Sequence, residues 1–107
     1  MGLGNEALLM VRAGLCDRID GIAAGLNHLS SARLYDHVDA VRRVALDHGF
    51  LPLAQLSRGL EAALAAGERG VMVLGYLDLM RDAAACERLD AQASEAYLAA
   101  ISVRLAG

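Results

Sequence analysis

Histidine, cysteine and serine are the side chains here that could carry nucleophilic or metal chemistry, and their spacing favours neither. His28, His37 and His48 are scattered, without a Cys or His neighbour at metal-ligand spacing. The sequence has no Glu-x-x-His pair of the kind that holds two metals inside a helical bundle. Cys16 and Cys86 lie far apart and form no Cys-x-x-Cys pair, so both are expected as reduced thiols packed like small apolar residues, as in a cytoplasmic protein. There is no Gly-x-Ser-x-Gly turn and no Cys in a recognisable protease motif, and the serines are expected at helix caps or on solvated faces. Gly67 and Gly70 flank a short turn that lacks the lysine of a phosphate-binding loop. These spacings predict no metal, no cofactor and no enzyme pocket.

Composition narrows the remaining classes. A chain of 107 residues makes one domain, over 1–107, and buries roughly two-thirds of the surface its unfolded form exposes. Apolar residues are 56% of the chain but aromatics only 4%, so the core must be aliphatic, which suits close helix packing. All ten basic residues are arginine, a usage that points to a GC-rich, bacterial genome. The net charge of −3 lacks the basic balance that phosphate contacts require, which argues against nucleic acid. The first residues show no basic segment followed by an apolar run, Glu6 stands where a myristoylation signal needs Ser or Thr, and no apolar stretch reaches membrane-spanning length. A cytoplasmic protein without a membrane partner is expected.

The elements that must position any site are helices. From Asn5, a candidate N-cap, Leu8, Val11, Leu15, Ile19, Ile22 and Leu26 recur at steps of three and four and share one helical face. Gly14, Gly21 and Gly25 weaken this helix by about 1 kcal/mol each relative to Ala, so packing or close backbone approach must hold it. Ser30 or Ser31 caps a second helix over about 32–48, with Leu34, Val38, Val41 and Ala45 as its stripe. Gly49 ends it, and Pro52 fits the first turn of a third helix that carries Leu53, Leu56, Leu60 and Leu64 to near Gly67. Leu74, Leu77, Met80 and Ala84 mark a fourth helix. A slip in phase near Cys86 to Asp90 separates it from a fifth pattern at Leu89, Ala93, Tyr97, Ala100, Ile101 and Leu105. Short loops between single-striped helices predict an all-α, antiparallel up-and-down four-helix-type bundle of about five helices.

The hairpin over 31–64 says more. Gly49-Phe50-Leu51-Pro52-Leu53-Ala54-Gln55-Leu56-Ser57-Arg58-Gly59-Leu60-Glu61 resembles the second half of the histidine phosphotransfer motif, with its helix-end glycine and its leucine-rich helix ending in Leu-Glu. The resemblance covers about a third of the chain in detail. It implies a phosphotransfer-type bundle that docks a receiver domain or related two-component signalling protein. Counting back from Gly49, the position of the family's phosphoacceptor histidine is held by Asp39, Arg42 stands at the family's lysine, and Arg43 replaces the glycine that permits close approach. The family's imidazole attacks the acyl phosphate of a receiver aspartate in a magnesium-bearing acidic site. A carboxylate at that position has no metal of its own and is repelled there unless the partner's magnesium bridges the two groups. The resemblance therefore implies docking without phosphate transfer.

Two alternatives stand beside that reading. His37 becomes the acceptor of an active phosphorelay protein if the register is displaced by two residues, although Ala40 and Val41 then take the places of the lysine and glycine, and His37 flanks the apolar stripe beside Val44. A structural bundle that pairs with a second copy is the other, because so apolar a chain can leave a stripe uncovered. On the second helix Tyr35, Asp39, Arg42 and Leu46 recur at steps of four and three, away from Val38 and Val41. Read simply, this is a solvated face whose Asp39–Arg42 pair contributes roughly a few tenths of a kcal/mol. Read functionally, Tyr35 and Leu46 give apolar contact to a partner while Asp39, Arg42 and the neighbouring Arg43 set its register.

Overall fold

A computed structural model of the chain describes residues 4–85, and the described residues are all-helical. Four helices follow in order: α1 over Gly4–Gly25, α2 over Ser31–Asp47, α3 over Leu51–Ala65 and α4 over Val71–Ala85. The expected fifth pattern and the break near Cys86 to Asp90 lie outside the described residues. Each helix packs against two others, α2 on α3, α3 on α4, α4 on α1 and α1 on α2, while the diagonal pairs bring no Cα atoms within 8 Å of each other. Connections of three to five residues leave consecutive helices no option but to run antiparallel.

The breaks have identifiable chemistry. Ser30 caps α2 from extended backbone, its side-chain oxygen accepting from the Arg33 amide at 3.2 Å. At the end of α2, Gly49 adopts φ +76°, the Phe50 amide reaches back to the Ala45 carbonyl at 2.8 Å and the Gly49 amide to Leu46 at 3.3 Å, which is a Schellman ending. Gly67, at φ +84°, repeats it, with Glu68 donating to Ala63 and Gly67 to Leu64. Pro52 sits in the first turn of α3, where its missing amide hydrogen costs nothing. Asn5, the expected cap, lies within α1.

The core follows the aliphatic stripes. Leu15, Ile19 and Ile22 of α1 meet the four expected residues of α2, Leu53, Leu56, Leu60 and Leu64 of α3, and Val73, Leu77, Met80 and Ala84 of α4. Leu74 departs from expectation: it is half exposed, and Val73 takes its place inside. Ser57 departs too, being fully buried rather than on a solvated face, with its hydroxyl donating to the Leu53 carbonyl at 2.8 Å. The glycines of α1 also differ from one another. Among the described residues, Gly14 and Gly21 have nothing within 4 Å of an added Cβ, whereas Gly25 abuts Leu29. In α3 the space over Gly59 is filled by the Tyr76 ring of α4, 2.7 Å from where a Cβ would stand.

One end of the bundle is fastened by a residue the sequence pattern did not single out. Arg69, in the α3–α4 connection, donates to the Leu26 carbonyl at 2.7 Å and to the Ser31 hydroxyl at 3.1 Å. Its guanidinium thus satisfies a carbonyl just past the end of α1, where a cation also suits the helix dipole, and ties the two loops together. No described helix is long and apolar enough to cross a membrane.

Candidate functional site

The outer face of the α2–α3 hairpin brings four of the five expected binding residues alongside α3. Tyr35 and Leu46 stand at opposite ends of the α2 stripe, 39% and 50% exposed. Between them Asp39 and Arg42 are not simply solvated; both lean toward α3. Arg42 Nη2 donates to Asp39 Oδ1 at 2.6 Å, and Arg43 Nε pairs with Asp39 Oδ2 at 2.8 Å. Arg42 Nε lies 2.8 Å from Glu61 Oε1 on α3, at an angle that makes an ion pair without a hydrogen bond, and the buried Glu61 Oε2 accepts no hydrogen bond from a donor among the described residues. Arg43 itself projects outward, its side chain 74% exposed.

The two carboxylates respond in opposite ways. The Arg42 hydrogen bond, chiefly, holds the Asp39 carboxyl below its ordinary range, and Glu61 and Arg43 act in the same direction. Burial pushes Glu61 up, the neighbouring Asp39 adds to that, and Arg42 only partly offsets both. Asp39 is thus the firm anion of the cluster and Glu61 the carboxyl that holds a proton more readily. The Arg42 guanidinium, bonded to Asp39, is held more firmly protonated than usual.

Glu61 is the member that the sequence reading placed only as the end of a motif. It is 5% exposed. A signal for it existed: Ser57 is four residues after Leu53, and Glu61 is four after Ser57 and three before Leu64, so both polar residues fall within the apolar stripe of α3. A buried carboxylate needs a cation, and Arg42 stands across the interface.

Shallow depressions flank this polar bridge. One, of about 270 Å³, is lined by Ser31, Ala32, Tyr35, Asp36, Leu64 and Ala65; a second, of about 180 Å³, by Arg42, Leu46, Leu51, Ala54, Gln55 and Arg58. A third, of about 240 Å³, lies on the α1–α2 side among Arg18, Gly21, Ile22 and His37. All three are smaller than the roughly 300–1,000 Å³ of a small-molecule cleft.

The histidines separate. His37 is exposed, on a different side of α2 from the Asp39 cluster, while His48 is half-buried with Nδ1 3.0 Å from the Val44 carbonyl, and His28 is exposed in the α1–α2 connection. No group of three or more His, Cys, Asp or Glu side chains among the described residues could hold a metal ion. Cys16 is half-buried against the core.

Fold and site together define a helical bundle with a polar-bridged surface groove. Comparison with family models, with curated proteins and with solved structures finds no match to this chain.

Proposed function

We propose that the chain is a non-catalytic, phosphotransfer-like adaptor that docks a receiver domain or related signalling protein through the outer face of α2 and α3. The observation that carries this reading is the state of Asp39. It occupies the position where the resemblance expects a nucleophilic imidazole, and both of its oxygens are engaged by guanidinium groups. A carboxylate so engaged is a poor nucleophile toward an acyl phosphate, yet it fixes Arg42 and Arg43 in place between Tyr35 and Leu46. The face therefore keeps the features of a docking surface, apolar contacts at both ends and a fixed polar centre, without an acceptor.

Tyr35→Ala and Leu46→Ala test the reading, because both side chains are exposed and neither is needed in the core. Binding to receiver domains from the same genome is expected to weaken about tenfold in each, as for a hot-spot contact, with helix content unchanged. Unchanged binding in both variants would count against it. Arg42→Ala is also expected to weaken binding, but it disturbs the bridge to Glu61 and is read only alongside a stability measurement.

One observation favours a second reading. His37 is exposed in the depression with Arg18, a cation placed to balance a phosphoryl group, and with Gly21, whose missing side chain leaves room for approach. An active phosphorelay protein using His37 predicts acid-labile, alkali-stable phosphate on the chain after incubation with a phosphorylated receiver. Loss of that label in His37→Gln would assign the site; absence of label in the parent chain rules this reading out.

A further inference from the structure

Within the docking face the two depressions on either side of the Asp39–Arg42–Glu61 bridge are not equivalent. The one nearer the α2–α3 turn has an apolar floor, with Leu46 half exposed, Leu51 42% exposed and Ala54 buried, and two guanidinium groups on its rim. Arg42 is held by Asp39 and Glu61, but Arg58 is exposed and has no ion-pair partner among the described residues. The other depression carries Tyr35 with Asp36, and the cation beside it, Arg69, is held by the Ser31 hydroxyl at 3.1 Å and the Leu26 carbonyl at 2.7 Å. The two depressions therefore differ in one respect: toward the turn a guanidinium, Arg58, stands on the rim with no carboxylate paired to it among the described residues, whereas the charged lining residue of the other is Asp36.

That cation runs against the charge of the chain as a whole, which is −3. An acidic partner is repelled by most of this molecule and attracted at the basic end of the groove, an arrangement that orients a complex and discourages other contacts. A second copy of this chain, itself acidic, gains less from the patch than a partner whose carboxylates surround an apolar side chain.

We propose that the depression formed by Leu46, Leu51, Ala54, Arg42 and Arg58 is the anchoring socket of the docking face. It receives one projecting apolar side chain from an acidic protein surface, whose carboxylates pair with Arg58 at the rim. Arg58 then selects the partner and Leu51 supplies much of the contact, although neither belongs to the α2 stripe. The inference rests on the docking reading and names the partner chemistry and the position of the anchor.

The experiment measures equilibrium binding of the full chain to purified receiver domains from the same genome, at low and moderate ionic strength. Arg58→Glu, Leu51→Ala, Tyr35→Ala and the control Arg33→Glu, an exposed arginine at the far end of α2, are compared. Expected is a loss of tenfold or more in Arg58→Glu, a several-fold loss in Leu51→Ala, a change within twofold in Arg33→Glu, and weaker parent binding as salt rises. Equal losses in Arg58→Glu and Arg33→Glu overturn the socket in favour of diffuse attraction. Loss in Tyr35→Ala with Arg58→Glu unchanged overturns the socket while the docking reading stands. If no receiver domain binds the parent chain, the docking reading itself fails and takes the socket with it. Self-association abolished by Arg58→Glu assigns the depression to a second copy and likewise overturns the proposal.

Discussion

The α2–α3 hairpin and the first helix are built from the same aliphatic vocabulary, but they treat their irregular positions differently. In the hairpin, Ser57 is satisfied by the Leu53 carbonyl, Glu61 faces Arg42, and Gly59 is covered by Tyr76. In α1, Gly14 and Gly21 meet no neighbour among the described residues, and Leu9 and Met10 are exposed. A hairpin whose departures from the apolar pattern are each matched by a neighbour is a firm platform for a surface site. The first helix has less of its own to hold it and depends on Leu15, Ile19 and Ile22 being buried by the others.

Core truncation makes the largest break in that comparison. Leu60→Ala, at a fully buried position of α3, is expected to cost about 2–5 kcal/mol in chemical denaturation, whereas Leu8→Ala, at a partly buried position of α1, costs no more than about half as much. Comparable losses at both sites would mean that the two regions contribute alike.

An intermediate effect separates the carboxyls by pH. Because Asp39 is held below its ordinary value, its contribution is present above that value and is lost as pH falls through the lowered one. Glu61 has the opposite sign. Its raised pKa means the folded chain binds more protons than the unfolded chain between the ordinary and the raised value, so stability falls as pH climbs through that window and then levels. Glu61→Gln is expected to remove this fall and leave the Asp39 step. Denaturation midpoints measured from pH 3 upward in about half-unit steps check both signs.

The smallest effect sharpens the contrast among glycines. Gly14→Ala and Gly21→Ala are each expected to stabilise the chain by about 0.5–1 kcal/mol, since helix propensity improves and an added methyl meets nothing among the described residues. Gly59→Ala gains the same propensity but must displace the Tyr76 ring, so its net change is smaller or reversed. Thermal melts of the three variants order them.

Much of the architecture was legible in local chemistry. Gly49, Pro52 and Gly67 mark the ends of α2 and α3 because positive φ and a missing amide hydrogen have few other uses, and the three-and-four spacing of Val38, Val41 and the α3 leucines fixed which faces meet. Leu74 and Val73 were harder, since adjacent apolar residues leave the phase of α4 open until its neighbours are placed. At the site, Tyr35 and Leu46 were readable as an exposed stripe. Glu61 was not, because its cation lies on another helix and only the α2–α3 pairing brings Arg42 to it. Arg58 and Leu51 escaped for the same reason, their depression being formed by two helices at once.

Amide hydrogen exchange of the full chain with and without a receiver domain tests whether the outer face of α2 and α3 is where docking occurs. Added protection is expected along the outer face of the hairpin, in α2 around Tyr35 to Leu46 and in α3 from Leu51 to Arg58, with α1 unchanged. Protection centred on Arg18, Gly21 and His37, or no change anywhere in the bundle, would contradict it.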